Sequence, residues 1–303
     1  MSAREAVSAG PPAVPVAAAW HVRGRVFDVS NRALVMGVLN VTPDSFFDGG
    51  RYTDPHAALD RALAMYDEGA DLIDVGGEST RPGSAVVPAA EEIRRITPVL
   101  ELLVSRCPIP VSIDTRKTEV ARAGLELGAS VLNDVSGLRG GAAGGGEDDA
   151  GARERAALAA RHGAGLVLMH MQGDPQTMQK DPRYADVVGE VRGFLYDAAR
   201  RAEESGVPRE AIAIDPGIGF GKSVEHSLTL LKRTADLASC GYPLLIGVSR
   251  KSLFERLLGL SADERLEAGI AAAVACFMRG ARIVRTHDVR PTVRALRTAE
   301  ALL

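Results

Sequence analysis

The feature of this sequence that most restricts its fold is an alternation. From Ala33 to the C-terminus, short β-branched or aliphatic runs take turns with longer amphipathic stretches, the pattern of repeated βα units. The runs Ala33–Leu39, Asp71–Val75, Pro110–Ile113, Ser130–Asn133, Gly165–Met169, Ala211–Ile214, Leu244–Val248 and Arg282–Arg285 predict eight strands. Helical stretches follow them, among them Pro55–Glu68, Ala89–Ser105, Thr118–Leu127, Ala185–Ser205 and Arg265–Arg279. Several strands are almost wholly apolar, as expected where one face lines a barrel and the other lies under helices. Eight such units predict an α/β fold, a closed (β/α)8 TIM barrel. A doubly wound open sheet usually has about five or six strands, with a glycine-rich nucleotide fingerprint after the first. Here Asn40-Val41-Thr42-Pro43-Asp44-Ser45 stands in that place. Ahead of the first strand, His21–Asn31 predicts an N-terminal β-hairpin plugging the barrel's N-terminal face.

With 303 residues, 46% of them hydrophobic and 25% charged, the composition is ordinary globular. Barrels of this kind form single domains of about 250 residues. We therefore expect one domain over 21–303 and a disordered tail over 1–20. Pro11, Pro12 and Pro15 break the tail's only apolar stretch and Glu5 lies near its start, which argues against a signal peptide. No later run approaches the ~20 apolar residues of a membrane span. The net charge of -3 lacks the basic footprint of a nucleic-acid binder. Cys107, Cys240 and Cys276 are odd in number and far apart, which suits a reducing compartment, so the expected location is cytoplasmic. Residues 140–149, with Gly140, Gly141, Gly144, Gly145 and Gly146 followed by Glu147, Asp148 and Asp149, read as a flexible insertion after the fourth strand.

Almost every predicted strand ends in a residue able to bind or titrate: Asn40, Asp74 with Glu78 to Arg81 beyond it, Asp114, Asn133, His170, Asp215, Lys251, and Arg285 with His287. In a barrel these endings converge on the C-terminal rim, where such folds carry their sites. Asp114 and Asp215 in a largely apolar mouth are costly to desolvate unless a ligand donates to them. A 2-amino-4-oxo pterin has adjacent N–H groups for a carboxylate; Asn133 supplies donor and acceptor, and Lys251 can donate to the ring carbonyl. Arg81, Arg285 and His287 with Thr80 form a cationic group suited to diphosphate. Asn40 offers a hard oxygen for Mg²⁺, which leans on substrate phosphates.

Each of these residues also has a plainer reading. Asp74 suits a helix cap or a structural acceptor, Glu78 and Asp44 suit loop anchors, and His170 suits a satisfied core histidine. Gly217-Ile218-Gly219-Phe220-Gly221-Lys222-Ser223 ends like a phosphate loop, but Pro216 occupies the place of its first glycine, so that reading fails. The glycines are expected instead to let the backbone approach a flat ring.

The chain resembles dihydropteroate synthase across Ala33–Leu303. The resemblance rests on Met36 to Phe46 (MGVLNVTPDSF), Asp74 to Gly83 (DVGGESTRPG), Ser112 to Thr115 (SIDT), Asn133 to Val135 (NDV), Leu168 to Met171 (LMHM), Asp215 to Lys222 (DPGIGFGK), Ser249 to Lys251 (SRK) and Arg285 to Val289 (RTHDV). It implies a pterin site at Asp114, Asn133, Asp215 and Lys251, with Met169 near the ring and Gly219 in the loop beside it. It implies Mg²⁺ at Asn40, diphosphate contacts from Thr80, Arg285 and His287, and mobile loops over Val41–Arg51 and Thr80–Ser84. Asp48, Thr80, Arg81, Pro82, Phe220, Lys251 and Ser252 match the 4-aminobenzoate neighbourhood. Asp114, Lys251 and Asp48 are the expected catalytic residues, and a homodimer through C-terminal helices is implied. Phe47 departs from the small polar residue usual before Asp48, which puts the fit of the first loop and the sulfonamide response in doubt. The alternatives are a methyltransferase of the same barrel type, against which Thr80-Arg81-Pro82, Lys251 and Arg285-Thr286-His287 weigh, and a non-catalytic pterin-binding paralogue, against which the intact loop motifs weigh and which Phe47 keeps open.

Overall fold

In the computed structural model, which describes residues 17–42, 54–79, 84, 86–139 and 149–303, the chain opens with an antiparallel hairpin of β1 (Ala19–Val22) and β2 (Arg25–Asp28). Eight parallel strands follow: β3 (Leu34–Asn40), β4 (Leu72–Gly76), β5 (Val111–Asp114), β6 (Val131–Asp134), β7 (Gly165–Met169), β8 (Ile212–Asp215), β9 (Leu244–Gly247) and β10 (Ala281–Thr286). They close into a barrel in chain order, with β10 beside β3. Around them run α1 (Pro55–Asp67), α2 (Ala89–Arg106), α3 (Thr118–Glu126), α4 (Asp149–Arg161), α5 (Val187–Glu204), α6 (Val224–Lys232), α7 (Thr234–Ala238), α8 (Leu253–Leu258), α9 (Leu266–Phe277) and α10 (Val289–Ala301). Helix α1 begins where Asp54 accepts the His56 amide and Pro55 fills the first helical position, the start signals a helix favours.

The predicted strands are those observed, but several extend one residue further than their apolar runs. Asp114 pairs with Gly76 and Asn133, and Asp215 pairs with Met169. A polar side chain does not interrupt a ladder made by the backbone, so an end placed at the last apolar residue stops too early. Of the expected insertion at 140–149, only Asp149 is described, as the first residue of α4. Phe47, Asp48, Thr80, Arg81 and Pro82 lie outside the described residues.

Alternation along each strand divides the sheet into two faces. Outward, Val35, Ile73, Ile113, Leu132, Leu166, Ile212, Ile246 and Val284 join the helices in one large buried cluster. Each such side chain contributes about 1.5–3 kcal/mol relative to exposure, so this layer carries most of the apolar burial. Inward, Leu34, Met36, Leu72, Val131, Val167, Ala213, Leu245 and Ile283 form a second cluster.

The hairpin closes the N-terminal face as expected. Trp20, Val22 and Val29 belong to the inward cluster, with Phe27 packed on it. The Trp20 indole donates to the Ala211 carbonyl at 3.0 Å, and Arg23 donates to the Ala129 carbonyl at 2.7 Å. The first strand starts at Ala19, inside the expected tail, because fully buried Trp20 is the plug's largest side chain. Trp20→Phe leaves the Ala211 carbonyl without this donor and a small void beside it. We expect a loss of about 1–3 kcal/mol, read as a lower denaturation midpoint in urea, with unchanged turnover.

Candidate active site

Two residues beyond the inward apolar layer, the same faces of the strands turn polar. Leu72 is followed by Asp74, Val131 by Asn133, Ala213 by Asp215 and Ile283 by Arg285, while β5 contributes Ser112 and Asp114. Counting by two along a strand keeps to one face, so these groups stack on the apolar floor at the C-terminal rim. Gly76 and Gly247 occupy inward positions beside Asp114 and Arg285, and a Cβ on either would stand 3.6 and 3.9 Å from those side chains. The glycines leave the mouth open.

Arg285 organises the layer. Its Nε donates to Asp74 Oδ2 at 2.6 Å and its Nη2 to Asp114 Oδ2 at 2.8 Å. Asn133 Nδ2 donates to the same Asp74 oxygen at 3.0 Å. Asp74 is wholly buried inside β4; it acts as a structural acceptor and does not cap a helix. Burial works against the Arg285 charge, but Asp74 and Asp114 outweigh it and hold the guanidinium above its ordinary range. Burial pushes Asp114 up to about 7; Arg285 opposes this, and the charges of Asp74, Glu92 and Glu78 add to it. Asp114 Oδ1, Asp74 Oδ1 and Ser112 Oγ are buried without a hydrogen-bond partner among the described residues.

Asp215 is also raised by burial, with the Gly217 amide at 2.7 Å and the charges of Lys251, Arg285 and Lys222 opposing. Beside it Met169 packs with Val135, Met171 and Met178, and Phe220 lies against them. Lys251 Nζ sits 4.1 Å above the Phe220 ring centroid, a cation–π arrangement. Gly219, at φ +82°, turns the chain beneath the Lys251 stem. Ser252 is exposed at the start of α8. His287 Nδ1 lies 3.2 Å from Ser249 Oγ, and a cleft of about 350 Å³ opens between it, Val38, Arg61, Arg250 and Arg290. Asn40, half-buried at the end of β3, borders Gly76. Glu78 behaves as a loop anchor: it accepts the Val87 amide at 2.9 Å and pairs with Lys117 at 3.2 Å.

Two expectations need correction. His170 leaves the ring, because Met169 takes the inward position and the next residue points outward. Its ring lies edge-on to Phe194, with centroids 5.0 Å apart, and burial together with the Lys222 charge pushes it down to about 2. The core reading of this histidine holds. The glycines after β8 mostly accommodate protein. At Gly217 (φ +63°) and Gly221 (φ +61°) a Cβ would meet the His170 and Gln172 carbonyl oxygens at 2.0 and 2.3 Å. Only Gly219 borders the mouth. Lys222, which the sequence offered only as the tail of a failed phosphate loop, is 3% exposed. Burial pulls it down to about 7, with Asp215 opposing.

A family model described as "Pterin binding enzyme" matches residues 36–287. The dihydropteroate synthase of Escherichia coli (strain K12) is 45% identical over 269 residues, 89% of this chain and 91% of that protein. The chain belongs to the dihydropteroate synthase family of pterin-binding enzymes. Solved structures of the family agree in fold. The Thermus thermophilus dihydropteroate synthase, in complex with 4-aminobenzoate, is 44% identical; the match covers 94% of this chain and all of that one (100%), with a TM-score of 0.81. The Yersinia pestis dihydropteroate synthase, with a sulfonamide drug, is 39% identical, covers 94% and 98%, and has a TM-score of 0.86.

Proposed function

We propose that this chain is a transferase of folate biosynthesis that joins 6-hydroxymethyl-7,8-dihydropterin diphosphate to 4-aminobenzoate, giving 7,8-dihydropteroate and diphosphate. The observation that carries the reading is Asp114 Oδ1, a carboxylate oxygen buried in the mouth with no partner among the described residues. Such an atom asks for a donor, and a pterin brings several N–H groups. Asp215 and Asn133 face the same space and take the ring edge, Met169 takes its face, and Lys251 donates to its carbonyl.

Loss of diphosphate leaves a cation on the pterin methylene, delocalised into the ring. Asp114 favours that charge, so its preorganised carboxylate lowers the barrier where charge develops. His287 and the cationic side of the rim receive the leaving group. Phe220, Lys251 and Ser252 border the approach of the arylamine, whose neutral nitrogen attacks the methylene and then loses a proton to water or diphosphate. Positioning of the two substrates supplies the remainder. No covalent attachment to the protein is required.

The residues fit Mg²⁺ in one manner only. Among the described residues no group of three or more His, Cys, Asp or Glu could hold a metal, while Asn40 offers one amide oxygen. That suits an ion kept largely by water and substrate phosphate: Asn40 would hold it, and the ion would neutralise charge on the departing diphosphate. We also read the protein as a cytoplasmic homodimer. Exposed Ala271 on α9 and Met278 just beyond it favour a second copy there, which sedimentation would test. No helix among the described residues is long and apolar enough to cross a membrane.

Incubation with both substrates, with and without EDTA, should give metal-dependent dihydropteroate and diphosphate. Pterin binding without product would favour a non-catalytic pterin-binding protein, and no pterin binding would end the ligand argument. The ionised form of Asp114 is the acceptor, so binding lowers its pKa and affinity is lost as pH falls through about 7. Below that point the Kd of a diphosphate-free pterin alcohol should rise up to about tenfold per pH unit. Calorimetry at pH 8, 7 and 6 measures it, and Asp114→Asn should flatten the profile. A flat profile in the parent protein would remove Asp114 from this role.

A further inference from the structure

We propose that Lys222 is a positioning residue for the arylamine half of the site, holding Phe220 in place through its backbone. This rests on the function proposed above. Lys222 Nζ lies 2.9 Å from His170 Nδ1, 3.2 Å from the His170 carbonyl oxygen and 2.9 Å from the Phe220 carbonyl oxygen. An ammonium has three donors and no acceptor, and here it meets three acceptors. The arrangement assigns the proton of neutral His170 to Nε2, leaving Nδ1 to accept.

None of these three partners is anionic. The charge of Asp215 supports this buried ammonium as well, and an apolar side chain in its place would leave three acceptors without this donor. What the ammonium secures is the path of the loop after β8. The consecutive carbonyls of Gly219, Phe220 and Gly221 accept from Gln179, Lys222 and the Tyr184 hydroxyl. Gln179 and Tyr184 belong to the connection after β7, which His170 begins, so the two loops are laced together. The Phe220 ring packs against the cluster of Val135, Met169, Met171 and Met178 and lies under Lys251. Lys222 is the tie that grips Phe220 itself.

The test is a double-mutant cycle of Lys222→Met and Phe220→Ala in the full-length protein, read by KM for 4-aminobenzoate, kcat, pterin diphosphate Kd and thermal midpoint. Lys222→Met should raise the 4-aminobenzoate KM about ten- to a hundredfold, the effect of losing one hydrogen bond from a charged donor. Pterin diphosphate Kd should change less than about threefold, while the midpoint should fall as the buried acceptors lose their donor. In the Phe220→Ala background, Lys222→Met should add nothing further to KM, since the two act as one unit. An unchanged KM, equal weakening of pterin and arylamine, or additive effects would overturn the proposal. If Lys222→Met does not fold, Lys222→Gln in the same cycle decides by the same criteria. Absence of turnover in the parent protein would instead defeat the proposed function, whereas an active parent with an additive cycle defeats only the role of Lys222.

Discussion

Asp215→Asn is expected to lower kcat/KM by about 10²- to 10⁴-fold while the protein melts at or above the parent temperature. In the parent, Oδ1 accepts the Gly217 amide at 2.7 Å, and an asparagine amide oxygen can keep that bond. The second oxygen becomes an NH₂ group facing the ring edge, so donor meets donor and the charge is gone. Removing one partner of a buried, hydrogen-bonded charge pair costs about 3–5 kcal/mol, which converts to the range given. The fold does not depend on the charge, because burial disfavours the ionised carboxylate in the free protein. Steady-state kinetics, pterin diphosphate binding and a thermal melt separate these effects. Near-parental kcat/KM would remove Asp215 from the pterin site.

Arg285→Leu is expected to damage stability and turnover together. The guanidinium is shared by Asp74 and Asp114, and its loss leaves two buried carboxylates facing each other with only Asn133 beside them. We expect a loss of about 3–5 kcal/mol at pH 8 and turnover below detection. The pH dependence has a definite sign. Asp114 already titrates above its ordinary value, and without Arg285 opposing the shift it moves higher still. A carboxylate whose folded pKa is raised leaves the native state holding more protons than the unfolded chain, so stability falls as pH rises. The variant should therefore recover stability between pH 8 and pH 5, as urea unfolding at each pH would measure. A deficit independent of pH would mean that lost packing, not unpaired charge, dominates.

Much of the barrel was legible because nearly continuous apolar runs alternate with longer amphipathic stretches eight times over. What escaped was parity. His170 follows Met169 directly, and only the inward cluster containing Val167 shows which of the two faces the mouth. The role of Arg285 was hidden differently. It lies 211 residues from Asp74, and the two meet only because closure places β10 beside β3 and thus near β4. A cationic motif suggested an anion site, while the structure shows it first satisfying two acids. The glycines after β8 looked like a ligand cradle; their neighbours are carbonyls of the adjacent loop, a contact between strands' exits that sequence spacing does not reveal.

The hairpin of Ala19–Asp28 occupies the floor, opposite the rim that holds Asp114 and Asp215. The hairpin therefore leads into the barrel from the face opposite Asp114 and Asp215. A fusion partner or a surface tether joined ahead of Ala19 would leave the mouth unobstructed, so immobilised protein should keep free access to its small molecules, provided that the junction spares Trp20.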